Sequence, residues 1–345
     1  MDPVGPLRSR LALPERAVEV AAPLVEGWDG QVPLIDATAY APVDEAAYVY
    51  RQRRDGSEHL GLVLEVRRGT VAAGRLRGHE AVFPERVESL ARELGTGHRR
   101  TSLVSALHHA GPVYRGLLAA TPAERPALAV TTADGGEHTL WRVADEAVAE
   151  VAAELSDSVL YVADGHHRLA ATRAFWDTEA GFMSAGLPVV LYPLGGLRLE
   201  PFHRVLPGPL PRERLDLLQD LLRSAYDVAE VDTVPTPQTG QVAMYADRRW
   251  LLATSPERPL AGVSGLDAVL LERQVLAPSG AGPTRPVRAP LTDLSRRCDA
   301  DGGALFALAP PAVSTLTRIA DRGEVMPAKT TSFQPKPVSG LLLSA

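Results

Sequence analysis

At 345 residues, with 45% hydrophobic and 23% charged side chains, the chain has the composition of a globular protein of about two domains. A formal net charge of −6 argues against a dedicated nucleic-acid binder, and the single cysteine, Cys298, excludes an internal disulfide framework or a multi-cysteine metal site. No apolar run approaches the roughly 20 residues that span a bilayer, charge and proline break the N-terminal stretch where a signal peptide would be apolar, and a cytoplasmic location is expected.

Taken in chain order, residues 1–45 predict short strands and turns. Tyr48-Val49-Tyr50 and Leu60 to Val66 flank an Asp55-Gly56 turn, the pattern of a β-hairpin. A second turn is expected at Arg68-Gly69. Pro84 to Gly95 has helical apolar spacing, with proline at its start and glycine at its end. Residues 99–110 predict a further helix. Strands at 127–132 and 138–144 bracket the Asp134-Gly135-Gly136 turn, and a helix follows over 145–155, with acids in its first turn where the dipole favours them.

A short buried strand over 159–162 leads through Ala163-Asp164-Gly165 into a helix that starts at His166. Further on, 189–194 is a strand, 212–226 an amphipathic helix, 232–241 a loop, and Asp247-Arg248-Arg249 the turn of a third hairpin. Residues 266–276 are helical, 278–286 a linker, 303–310 a strand, and 313–323 a helix closed by Gly323. The polar segment from Met326 onward follows. Hairpins outnumber regular strand–helix alternation, so the pattern is α+β and disfavours a doubly wound dinucleotide fold.

Of the 36 basic residues only two are lysine, Lys329 and Lys336, and they lie within eight residues of each other. Where arginine serves as the generic cation, a lysine marks a place that needs a compact ammonium rather than a planar fork. The C-terminal segment therefore belongs to a site.

The densest chemistry is Asp164-Gly165-His166-His167-Arg168 at a strand-to-helix junction. Glycine lets the backbone approach a ligand, and the free amides of a helix start attract an anion. Two histidines and an arginine add donors, with Asp164 turned to a metal ion or to the histidines. The competing reading makes Asp164 a helix N-cap and the histidines structural. His79-Glu80 precedes a helix, where Glu80 serves as a general base, a metal ligand or a solvated acid. Lys329-Thr330-Thr331-Ser332 through Lys336 is a hydroxyl-rich anion loop that lacks the glycines of a Walker A motif. His203-Arg204 is a weaker candidate. His59, His98, His108, His109 and His138 are taken as structural, and Asp267 and Glu272 as acids on a helix surface.

These blocks, LYVADGHHRLAAT, GHE at 78–80, PFHRVL at 201–206 and MPAKTTSFQPKPVSGLLL, together resemble the domain-of-unknown-function 1015 family. That family is similar to the ParB/sulfiredoxin-like superfamily, which includes free-serine kinases. The resemblance implies a mixed sheet core with flanking helices and added hairpins. It arranges the chain as a β-rich segment over 1–75, a core over 76–206 carrying GHE and ADGHHR, and an α+β segment over 207–345 that returns the C-terminal loop to the site. The family's N-terminal Pro-Pro-Tyr-Asp block appears here only as Ala22-Pro23-Leu24.

The activity implied is a small-molecule kinase that transfers phosphate from ATP or ADP to a hydroxyl such as that of free serine, with Mg²⁺ as cofactor. Glu80, Asp164 and His167 are the catalytic candidates, and Asp164 is also the metal ligand. Gly165, His166, Arg168, Lys329, Thr330 and Lys336 form the phosphate set, with His79, His203 and Arg204 as further candidates. The expected partners are a small-molecule substrate and a nucleotide, without nucleic acid or membrane. The alternatives are a nucleotide-binding regulatory protein without transferase activity and, third, a metal-dependent hydrolase using His79, Glu80, His166 and His167.

Overall fold

The computed structural model describes residues 2–22, 36–95, 101–178, 181, 186–256 and 261–344. The chain divides into two units, one comprising Met1–Gly78, Val82–Arg198 and Phe333–Ala345, the other His79–Ala81 and Leu199–Ser332. Helix and strand are mixed in both, so the fold is α+β, as the pattern predicts.

The first unit is built on the hairpin Asp44–Arg54 and Ser57–Val66, in which Tyr48 pairs with Val63 and Tyr50 with Gly61. Asp55 and Gly56 both have positive φ, 49° and 74°, the two-residue turn that matches the right-handed twist of the strands. Leu187–Pro193 joins antiparallel to the second hairpin strand and parallel to Val104–His108, which in turn pairs antiparallel with Leu160–Asp164. With the neighbouring strands these form an eleven-stranded mixed sheet among the described residues.

Two local expectations are corrected here. Arg68-Gly69 opens a short helix, Arg68–Ala72, rather than a turn. The helix expected over 99–110 is the strand Val104–His108, all five residues of which are buried. Leucine and alanine favour a helix locally, but a segment hydrogen-bonded on both sides and covered on both faces takes the strand. His98 and part of the Ala22-Pro23-Leu24 block lie outside the described residues.

Helices cover this sheet through a core that includes Leu62, Leu64, Val189 and Leu191, against which Tyr114, Val151, Leu169 and Trp176 pack. The Tyr114 hydroxyl, fully buried, donates to the Leu191 carbonyl at 2.6 Å and accepts from the Leu62 amide at 3.2 Å. The C-terminal segment is stitched into the same unit. Leu342–Ser344 pairs with Leu7–Leu11, the Gln52 amide donates to the Lys336 carbonyl at 2.8 Å, and the Val338 amide donates to the Tyr50 hydroxyl.

In the second unit six strands form an antiparallel sheet: Asp227–Val231, Arg249–Thr254, Gln241–Ala246, Ala304–Leu308, His203–Leu206 and Arg285–Val287, in spatial order. Alternation separates its faces. Val242, Met244, Phe306 and Leu308 meet Leu215, Leu218 and Leu222 of the helix Arg212–Ala225, together with Leu271 and Val275. Ala243, Tyr245, Leu305 and Ala307 meet Leu294 and Cys298. Covered on both faces, Ala304–Leu308 is apolar without a break. The turn at Asp247-Arg248 again has positive φ at both positions, 49° and 60°.

The second face is covered by a helix, Leu291–Asp301, whose Arg-rich sequence hides a narrow inward stripe of Leu294, Ser295 and Cys298. Cys298 is therefore a core residue. Burial, reinforced by Asp301 and Asp299, pushes its thiol up to about 11. We predict that a thiol-specific colorimetric reagent leaves native protein unlabelled at mildly alkaline pH and titrates the cysteine only after unfolding in urea. Rapid labelling of folded protein would contradict this packing.

Candidate functional site

The site in the first unit begins where Leu160–Asp164 ends and the helix His166–Trp176 starts. Ser105 faces Asp164 while Ala106 faces Val162, so Ala163 is an extra residue, and this bulge re-aims the Asp164 side chain at the strand end. Gly165 then turns the chain with φ +98°. A Cβ there would also sit 3.0 Å from Arg168 Nε and from Val104 Cγ2, so both backbone and space require glycine. No side chain caps the helix, whose first turn directs its amides outward.

Asp164 is gripped by two cations. Arg168, one turn along the helix, donates to Oδ2, and Lys336 Nζ lies 3.0 Å from Oδ1. Arg168 also donates to the Leu103 carbonyl. Burial alone would raise the pKa of Asp164, but Arg168 and then Lys336 outweigh it and hold the carboxyl below the ordinary carboxylate range. Burial lowers the pKa of Arg168, Asp164 opposes that, and Arg86 adds a further lowering. Arg86 thus belongs to the same electrostatic cluster, in the first turn of the helix Pro84–Gly95. Two cations on one carboxylate, with Arg86 acting on Arg168, leave an excess of positive charge beside a helix N-terminus, which suits phosphate.

Sequence reasoning missed Arg86. Its signal was an arginine in a helix first turn, where the dipole favours acids. Spacing also gives no hint of Phe83, whose amide donates to His167 Nε2 at 3.0 Å and whose ring stacks on the imidazole at 5.6 Å. His167 therefore faces Phe83. His166 is buried against Gly78, where an added Cβ would come within 3.0 Å of its ring.

Among the described residues no group of three or more His, Cys, Asp or Glu side chains is placed to hold a metal. Asp164, the expected ligand, has a cation on each oxygen. This donor set does not fit a resident magnesium ion.

The remaining candidates belong to the second unit and are described there. His79 is buried, and Glu80 forms a parallel bridge with Met326, tied by the Met326 amide to the His79 carbonyl at 2.8 Å. Arg204, also buried, donates to the carbonyls of Phe202 and Lys329 at 3.2 Å, and His203 Nδ1 accepts from the Leu308 amide at 3.2 Å. Lys329 takes a left-handed φ of 58° and holds its ammonium 5.2 Å from the centre of the Phe202 ring. The Thr330 hydroxyl donates to the Pro327 carbonyl at 2.7 Å. The two lysines therefore have different surroundings, Lys336 on Asp164 and Lys329 on Phe202. Asp267, expected on a helix surface, accepts from the Gly240 amide through both oxygens at 3.1 and 3.0 Å.

The chain belongs to the family described as protein of unknown function DUF1015, whose sequence pattern matches residues 41–270. No curated protein matches it. Solved structures similar to it include SbnI with a C-terminal truncation from Staphylococcus aureus, at 10% identity and a TM-score of 0.41, covering 80% of this chain and 85% of that one. A free serine kinase in complex with AMP matches at 13% identity and 0.41, covering 81% and 92%. A conserved hypothetical protein from Pyrococcus furiosus matches at 12% and 0.40, covering 81% and 95%. Among the described residues no helix is long and apolar enough to cross a membrane.

Burial lowers the pKa of His79, His108, His138 and His203 to about 4, so all four are neutral at pH 7 and none supplies a cation to a phosphate there. In the unfolded chain they take protons from about pH 6.5 downward. Stability is therefore complete above that value and declines as pH falls toward 4. Asp164 acts lower, its contribution being lost only as pH falls through its depressed folded value. His108 is fully buried with neither ring nitrogen hydrogen-bonded, so it alone contributes up to about 3 kcal/mol of this decline. The melting temperature is predicted to drop over this range and to drop less steeply in His108→Phe. A flat profile in the wild type would contradict the buried neutral histidines.

Proposed function

We propose that the protein is a nucleotide-dependent phosphotransferase acting on a small hydroxyl-bearing substrate, with the 164–168 turn and Lys336 binding phosphate. The observation that carries this reading is the convergence of Arg168 and Lys336 on Asp164 at an uncapped helix start, with Arg86 in the same field. Phosphoryl transfer asks a protein mainly to position the reactants and to stabilise charge on the phosphoryl oxygens. Asp164 suits the positioning part, since it holds two cations that would otherwise repel each other. The cations and the first-turn amides suit the charge part. Glu80 is the base that the family resemblance implies, taking the proton of the acceptor hydroxyl as its oxygen bonds to the terminal phosphorus and the bond from that phosphorus to the nucleotide's bridging oxygen breaks, releasing ADP from ATP or AMP from ADP.

The test is turnover of ATP or ADP, supplied with magnesium, against a panel of hydroxy amino acids, with the phosphorylated product identified by mass spectrometry. Arg168→Ala and Lys336→Met are each expected to lower turnover by about 10²–10³-fold, the usual effect of removing one donor to developing charge. Glu80→Gln is expected to lower turnover by about 10²–10⁴-fold while nucleotide affinity stays close to wild type. Nucleotide binding without product for any acceptor would favour a regulatory protein. Full turnover in both cation variants would refute the phosphate site.

A further inference from the structure

The second unit contains a cavity of about 290 Å³, all of whose lining residues lie within that unit, and the reading above makes no use of it. The size is at the lower end of small-molecule sites. Its lining is amphipathic and charged at two places. Leu266, Leu308 and Pro311 give apolar walls, Asp267 contributes a carboxylate, and Arg318 and Arg322 contribute guanidinium groups.

These charges are held differently. Arg318 and Arg322 stand one turn apart on the helix Val313–Asp321 and its C-cap, so they share a face. Arg318 donates to the Thr315 hydroxyl at 3.3 Å and, among the described residues, has no carboxylate within ion-pair distance. Among the described residues, the ion pair of Arg322 is a long, exposed contact to Glu324 at 3.8 Å. Glu324 in turn accepts from the Val263 amide at 3.0 Å, and a Cβ on Gly262, at φ +80°, would lie 2.6 Å from its carboxylate. The rim is thus fixed by backbone contacts, not by pairing of the arginines.

Asp267 is fixed just as firmly, since the Gly240 amide binds both of its oxygens and each keeps further acceptor capacity. Burial raises its pKa, and the Gly240 amide opposes that; among the described residues no cation lies within ion-pair distance of it. A carboxylate in this position is best completed by a positive group from a ligand. Thr330 lines the same cavity, and its segment is anchored by the Arg204 bond to the Lys329 carbonyl.

We propose that this cavity is a binding site for a small zwitterion carrying a carboxylate and an ammonium group, the chemistry of free amino acids, with the anionic end at Arg318 and Arg322 and the ammonium at Asp267. The site stands independently of the phosphotransferase reading. Its test is calorimetric titration of the full chain with a panel of amino acids, each alongside its N-acetyl and its carboxamide derivative. At least one amino acid is expected to bind, with both of its derivatives weakened about tenfold or more, the equivalent of about 1.4 kcal/mol for each lost charge contact. Asp267→Asn, which keeps an acceptor for the Gly240 amide, and Arg318→Gln, on the exposed rim, are expected to weaken binding by a similar factor without lowering the melting temperature. Arg168→Ala is expected to bind the amino acid as wild type does. No binding of any member at millimolar concentrations would overturn the proposal. So would derivatives that bind as well as their parents, or binding that both cavity variants leave unchanged.

Discussion

The first unit's site depends on a single carboxylate held between two cations. Asp164 ends a strand, Arg168 sits one turn into the following helix, and Lys336 arrives from a segment far along the chain. Each is about one-fifth exposed, so their charges are only partly screened. Without Asp164, a guanidinium and an ammonium would be left together, uncompensated, in a half-dry setting. With it, the cluster is stable and still carries excess positive charge. The rest of the unit serves this contact: the bulge at Ala163 aims the carboxylate, Gly165 makes the turn, and the bonds of Gln52 and Tyr50 fix the backbone that carries Lys336.

The second unit shows another use of charge. Its sheet is covered on both faces, and the strand His203–Leu206 holds polar side chains at the edge of the core in fixed geometry. Arg204 is an example. Burial lowers its pKa, Glu272 opposes that, and its Nη1 donates to the Phe202 and Lys329 carbonyls, which ties it to the backbone at Lys329. His203 is likewise neutral and hydrogen-bonded to a strand amide. Both are site candidates in the sequence through the PFHRVL block. Spacing alone does not distinguish a guanidinium facing a ligand from one facing a carbonyl.

Legibility followed the range of the interactions. The Asp55-Gly56 and Asp247-Arg248 hairpins, the helix Pro84–Gly95 and the ADGHHR junction rest on turn chemistry and capping, which act within a few residues, and all were readable. Val104–His108 was misread as helix because its strand state comes from partners more than 50 residues away in sequence, Leu160–Asp164 and Leu187–Pro193. The helix Leu291–Asp301 escaped notice because three inward residues are hidden among charges. At the site, the rarity of lysine singled out Lys336 and the ADGHHR block singled out Asp164, whereas the pairing of the two, and the involvement of Arg86, became visible only in three dimensions. Asp267 shows the same limit, since its hydrogen bonds run to a loop glycine 27 residues earlier.

Amide hydrogen exchange of the full chain with and without ADP tests the central claim most directly, because it reports where the nucleotide acts without assuming an activity. Slowed exchange is expected in peptides covering the 164–172 helix start and in those covering 334–338, where the backbone carries Lys336. Slowed exchange confined to other segments, or none under saturating ADP, would contradict it.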